Sequence, residues 1–269
     1  MVVLTGRVTG FMMSDIVGPE DPQRLMWEMS LGEFLEAVVN RNPDKVFVEM
    51  SGRELTYRQF HREVEQAASM FQNLGVAKGD RVCLFMPNCP EYLFCWFGLS
   101  SLGAISVPIN TAYKRDETAY ILNNAEATAI VAHESLLAVA QEAAALAPKV
   151  RHRLVVEVQQ PNNVEPNPPT PPFGEGGKEG ISESWIPFSA AMLKAETSAS
   201  PSQVSPQDIS MLVYTSGTTG NPKGVMVTHQ MYVAAGQGFA HWTQATPQDR
   251  FFTCLPYFHA NVQYYSTMG

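Results

Sequence analysis

Long apolar runs are missing from this sequence. The greasiest stretch, Tyr92 to Leu99, spans eight residues where roughly 18 are needed to cross a bilayer, so no membrane span is expected. Cationic charge is also scarce: 18 Lys and Arg stand against 26 Asp and Glu, a net charge of −8. That balance excludes a surface built to neutralise nucleic-acid phosphates, although it leaves room for a local anion site. Four cysteines, Cys83, Cys89, Cys95 and Cys254, form no Cys-x-x-Cys pair. Three lie in apolar surroundings and are expected to be buried, reduced thiols, which argues against a disulfide scaffold. His61, His133, His152, His229 and His241 lack metal-ligand spacing. The N-terminus has Arg7 and a weak apolar patch but no small-residue cleavage site after it, so no leader is read there and a cytoplasmic protein is expected. No internal repeat is found.

What the sequence does contain is enough for a large core: 269 residues, 45% hydrophobic and 16% charged. Ser30 with Glu33 makes a capping box ahead of a helical face of Leu31, Phe34, Leu35, Val38 and Val39, ended by Asn42-Pro43. Lys45 to Met50 and Glu54 to Tyr57 flank Ser51-Gly52 as a hairpin. Thr56 and Gln59 then cap a second helix that Gly75 stops. From Arg81 the pattern alternates. Strands are predicted over 81–86, 104–109, 128–132 and 153–158, with helices over 91–102, 115–124 and 134–146, which is the signature of βαβ units and a mostly parallel sheet. Prolines and glycines from Pro161 to Gly180 allow neither helix nor strand; Pro169 to Pro172 matches Pro-x-x-Pro ligand spacing but also suits a stiff connector. A short amphipathic stretch, 189–196, follows. Beyond Pro206, strands are predicted over 208–214, 225–228 and 250–255, with a helix over 229–242. The fold class is therefore α/β. The chain divides into an N-terminal tail (1–29), a first α/β region (30–158), a linker or surface excursion (159–205) and the start of a second, incomplete α/β subdomain (206–269).

The chemistry concentrates in Thr215-Ser216-Gly217-Thr218-Thr219-Gly220-Asn221-Pro222-Lys223-Gly224, directly after an apolar strand. Its three glycines let successive backbone N–H groups turn toward one anion, its hydroxyls add donors and Lys223 adds a mobile positive charge. The spacing is neither a Walker A loop nor a Gly-x-Gly-x-x-Gly turn. On composition alone a flexible connector with a solvated lysine is the favoured reading.

The string Tyr-Thr-Ser-Gly-Thr-Thr-Gly-x-Pro-Lys-Gly, however, resembles the signature of the adenylate-forming superfamily: acyl-CoA synthetases, luciferases and peptide-synthetase adenylation domains. A chance match at nine loop positions is on the order of one in 10^11 at ordinary residue frequencies, which sets the connector reading aside. Leu255-Pro256-Tyr257-Phe258-His259-Ala260-Asn261 resembles that family's second core motif. Leu55-Thr56-Tyr57, Gly79-Asp80-Arg81-Val82, Met86-Pro87-Asn88 and Gly103-Ala104 to Pro108-Ile109-Asn110 match its usual phrasing. Asn261, Gln263 and Tyr264-Tyr265 most resemble the carnitine or crotonobetaine CoA-ligase branch. The resemblance runs from about Ser30 to the last residue.

The resemblance implies an ATP-dependent acyl-CoA ligase that adenylates a small carboxylate and then passes the acyl group to a thiol, with ATP and CoA as co-substrates and Mg²⁺ as the metal. Thr215, Ser216, Gly217, Thr218, Thr219, Gly220 and Lys223 would hold the ATP phosphates, with Thr219 near Mg²⁺. Tyr257, Phe258, His259 and Asn261 would border the acyl and CoA side, His259 as the catalytic candidate; by itself His259 reads first as a packed histidine, and the resemblance reverses that. The family's Thr-Glu element, its Tyr-x-Thr-Gly-Asp motif and its C-terminal-domain lysine do not occur in the sequence. It therefore reads as an N-terminal portion without the C-terminal domain, inactive alone. A non-catalytic nucleotide-binding or interaction protein on the same scaffold is the alternative. Val213, Phe251, Phe252 and Leu255 are expected to lack neighbours, so that the chain aggregates, oligomerises or keeps the residues after about Pro206 partly disordered. In the family the early hairpin packs into the second subdomain.

Overall fold

The computed structural model describes residues 28–50, 52–157, 185–195, 203–215, 221–246 and 248–269. Helix α1 (Leu31–Arg41) carries the expected capping box. Ser30 N–H donates to Glu33 Oε2 at 2.7 Å, and Glu33 N–H donates to Ser30 Oγ at 3.3 Å. Strands β1 (Val46–Met50) and β2 (Arg53–Thr56) form a separate antiparallel hairpin. It packs on α2 (Tyr57–Asn73), with the Phe47 ring 4.7 Å from that of Phe60. Thr56 and Gln59 make the second capping box, and Gly75, at φ +80°, terminates the turn after α2.

The alternating region folds as the pattern dictates: β3 (Arg81–Phe85), α3 (Pro90–Leu102), β4 (Ile105–Pro108), α4 (Arg115–Asn124), β5 (Ala129–His133), a 3₁₀ turn (Glu134–Leu136), α5 (Leu137–Ala145) and β6 (His152–Val156). After it come β7 (Ile186–Pro187), α6 (Phe188–Leu193), β8 (Ile209–Thr215), β9 (Lys223–Thr228), α7 (His229–Thr243) and a π-helix over Val262–Thr267. Seven strands make one sheet in the order β7-β6-β5-β3-β4-β8-β9, parallel except for the antiparallel β8–β9 pair at its end.

Alternate residues of each strand enter opposite cores, as a two-faced sheet requires. Val82, Leu84, Ala129, Val131, Leu154 and Met211 join α1, α2, α3 and α7 on one face. Cys83, Phe85, Val107, Ile130, Ala132 and Val155 join α4 and α5 on the other. Helix α3 is apolar nearly all round because it is the middle layer: Trp96, Tyr92 and Phe94 are all essentially buried.

Three expectations need correction. The stretch after Pro206 does not start a sheet of its own, because β8 pairs with β4 through Ser106 and Met211 and so extends the first sheet. Val213 is consequently buried, whereas Phe251, Phe252 and Leu255 are exposed as expected. Residues 250–255 form no strand. The Leu255 carbonyl is taken by the side chain of Asn88 at 2.9 Å instead of by a ladder, and the preceding chain is turned by Thr246 N–H donating to Asp249 Oδ2 at 2.6 Å. The hairpin rests on α2, and an Arg250–Glu49 ion pair at 3.8 Å joins it to the late segment. The Pro-x-x-Pro segment lies outside the described residues. Of the cysteines, Cys83 and Cys95 are buried, Cys89 is half-buried and Cys254 is exposed, all as free thiols.

Candidate active site

In open α/β sheets ligands gather outside the carboxyl ends of the strands. Strands β3 and β8 both run parallel to β4, one on each side of it, so their carboxyl ends open on the same edge. The two sequence motifs meet that edge separately.

The first leaves β8. Thr215 is the last residue of β8 and Lys223 the first of β9, and the two are register partners. The loop of interest is therefore the connection of an antiparallel hairpin. Ser216, Gly217, Thr218, Thr219 and Gly220 lie outside the described residues. The stem on either side is fixed by α4: Tyr214 Oη donates to Asn124 Oδ1 at 2.7 Å, and Tyr120 Oη donates to the Pro222 carbonyl at 3.1 Å. Burial pushes the Tyr214 phenol up to about 12, with Cys83 and Tyr120 adding to the effect, so it stays a neutral donor. Gly224 lies close under this tyrosine: a Cβ there would stand 3.3 Å from the Tyr214 ring, which would have to give by a few tenths of an ångström. Lys223 is exposed, and no carboxylate among the described residues pairs with it. An exposed ammonium beside a hydroxyl- and glycine-rich sequence is a donor set that fits a polyphosphate.

The second motif reaches the same edge at β3. Asn88, three residues beyond β3, donates Nδ2 to the Leu255 carbonyl at 2.9 Å and accepts from Tyr257 N–H at 2.7 Å. Tyr257 is buried and stacks on Tyr92 with centroids 5.3 Å apart. Burial, with Cys89 nearby, pushes its phenol up to about 12. Phe258 is half-buried with its ring 4.5 Å from the His259 ring, and His259 and Asn261 are exposed. His259 is thus a solvent-facing group on a turn and not a packed core histidine. Among the described residues no three His, Cys, Asp or Glu side chains group to hold a metal; Thr219, the residue expected near Mg²⁺, is outside them.

Motif reading missed Tyr120, Asn124, Tyr92 and Tyr232 as supports of these segments. For the three tyrosines the signal is a polar tip on a largely apolar side chain, meaningless until its partner is known; Asn124, exposed at the end of α4, gives none.

The AMP-binding enzyme family matches residues 35–269. The chain belongs to that family. A crotonobetaine/carnitine–CoA ligase of Escherichia coli O139:H28 is 33% identical over 218 residues, covering 80% of this chain and 38% of the relative. A solved anthranilate CoA ligase in complex with anthranoyl-AMP superposes with a TM-score of 0.67 at 29% identity, covering 79% of this chain and 37% of that one. The N-terminal domain of FACL13 from Mycobacterium tuberculosis gives 0.69 at 26% identity, covering 89% and 55%. The chain thus spans about two-fifths of the length of the curated relatives it matches. The family membership and the mostly parallel α/β architecture agree with the sequence reading. Among the described residues no helix is long and apolar enough to cross a membrane.

Proposed function

We propose that this chain carries the phosphate-binding and acyl-side elements of an ATP-dependent acid–thiol ligase. The observation that carries the reading is the convergence of the two ends of the hairpin connection, Thr215 and Lys223, and the Tyr257–His259 turn on one carboxyl edge of the sheet. In the reaction proposed, a carboxylate oxygen attacks the α-phosphorus of ATP and pyrophosphate leaves. A thiol, that of CoA, then attacks the acyl-adenylate carbonyl, loses its proton and displaces AMP. Both steps gain from orientation and from neutralised phosphate charge.

Thr215, the hydroxyls of Ser216, Thr218 and Thr219, and the backbone of Gly217 and Gly220 would cradle the phosphates. Lys223 would neutralise the departing pyrophosphate. Mg²⁺, when bound, would screen the same charge, with Thr219 contributing to its hold. Tyr257, Phe258, His259 and Asn261 would line the acyl and thiol side. Small carboxylic acids of the kind named for the relatives above are the substrate class to test first, in the manner of a cytoplasmic enzyme.

Replacing Lys223 removes one charge-assisted contact, of about 1.5–3 kcal/mol, which corresponds to roughly 10–100-fold. Lys223→Ala should weaken ATP binding to the chain by that factor, measured by calorimetry, and should leave the affinity for a carboxylate ligand within twofold. Unchanged ATP affinity in this variant would remove Lys223 from the phosphate site.

A further inference from the structure

His259 stands on a tight turn, Pro256 to His259, closed by its own N–H donating to the Pro256 carbonyl at 3.0 Å. Exposed turns of this kind are mobile unless their backbone groups are tied down. Two amide side chains tie this one. Asn88, three residues beyond β3, grips it through Leu255 and Tyr257 at 2.9 and 2.7 Å, satisfying one carbonyl and one N–H as a neighbouring strand would. Gln263 grips it from behind: its Nε2 donates to the Tyr257 carbonyl at 2.5 Å, and the Tyr92 hydroxyl reaches the same carbonyl at 3.1 Å.

Gln263 is completely buried, and its Oε1 accepts from Tyr232 Oη at 2.6 Å. Burying an amide is costly unless its groups are bonded, and an apolar pair of the same shape would fill the space at little or no loss. The polar pair brings direction that an apolar one cannot. With Oε1 held by Tyr232, the Nε2 end has one orientation, and so has the carbonyl it meets. The residue also lies in the π-helix Val262–Thr267, a wide turn of a type often found at functional sites.

We propose that Asn88 and Gln263 are positioning residues that fix the turn carrying Phe258 and His259 at the carboxyl edge of the sheet, so that these side chains meet the acyl end of an adenylate. The inference rests on the acyl-side reading of this turn. Neither amide touches substrate in it; both act through the backbone of Leu255 and Tyr257. Misplacing a reacting arrangement by about 1 Å costs up to a hundredfold, so loosening the turn should be felt by the acyl end of a ligand and not by its phosphates.

The test uses the 269-residue chain, with Asn88→Ala, Gln263→Leu and Tyr92→Phe variants. Two probes are titrated calorimetrically, ATP and a set of acylsulfamoyl adenosines that mimic acyl-adenylates, and amide exchange is followed across residues 255–261. For Asn88→Ala and Gln263→Leu the expected result is at least a tenfold loss for the mimic that the parent chain binds best, with ATP affinity within twofold and faster exchange in 255–261. Tyr92→Phe removes one of two donors to a single carbonyl and should lose less. Equal losses for ATP and mimic, or an undiminished mimic affinity with unchanged exchange, overturn the proposal while the ligase reading stands. If the parent chain binds neither probe, the ligase reading fails and this inference with it. Should Gln263→Leu fail to fold, Asn88→Ala decides, since Asn88 is only partly buried.

Discussion

His229 shows how a single side chain can couple two distant parts of the chain. It begins α7, is fully buried, and its Nδ1 accepts from Leu31 N–H at 3.2 Å, satisfying one of the orphan donors at the start of α1. Burial drives its pKa down to about 4 from an ordinary 6.5. Asp208 and Glu33 pull the other way, and Lys78 reinforces the drop. An unfolded chain takes up this proton below about 6.5, whereas the folded chain resists until about 4. Stability from this residue is therefore complete above pH 6.5 and is lost as pH falls through that window, by about 2–3 kcal/mol at pH 4.5. His229→Gln keeps an acceptor for Leu31 but cannot titrate. Urea unfolding at pH 7.5 and 4.5 should show a smaller acid loss in the variant than in the parent. Equal losses would mean that the imidazole does not control the acid response.

Among elements, α2 and α3 illustrate close approach. A Cβ added at Gly98 would lie 3.0 Å from Ala68 N, 3.1 Å from Ala67 Cβ and 3.2 Å from the Val64 carbonyl. Gly98→Ala gains about 1 kcal/mol of helix propensity but forces two packed backbones apart, at about 1–3 kcal/mol. The expected result is a lower Tm, by about 2–4 °C for each kcal/mol of net loss; a rise would show that the helices can separate freely. Local signals of this kind are what made much of the fold legible. Ser30, Thr56 and Gly75 mark helix ends through bonds made within a few residues, and the 115–124 helix begins and ends where its pattern does. The 250–255 segment reads as a strand because Phe251, Phe252 and Leu255 have strand-like chemistry, while the competing partner, Asn88, lies more than 160 residues away. The pairing of β8 with β4 was invisible for the same reason. At the site, the loop motif is a local string that stands out in the sequence, and its residues 216–220 lie outside the described ones. The supports of the turn, Gln263 with Tyr92 and Tyr232, are spread over three helices, and no spacing rule links them.

For the whole molecule, the apolar surface is uneven. Phe252 is 93% exposed, Trp242 79% and Met226 61%, and β9 ends the sheet with no further strand among the described residues. Unpaired strand edges beside apolar side chains are templates for association. The 269-residue chain should therefore show a mass above that of a monomer by light scattering. A Phe252→Ser, Met226→Lys double variant should return it toward the monomer value, and a parent chain that is monomeric at tens of micromolar would refute this.

The join between β4 and β8 also has a consequence in time. About 100 residues separate the end of β4 at Pro108 from the start of β8 at Ile209. At about 5–20 residues per second of synthesis, the open side of β4 waits some 5–20 s for its neighbour. The strands on the far side of β3 are already made, so during biosynthesis the growing sheet passes through a stage in which β4, an inner strand of the finished sheet, is a raw edge. A holding chaperone that shields this edge would be expected to matter more for yield than any factor acting after chain release.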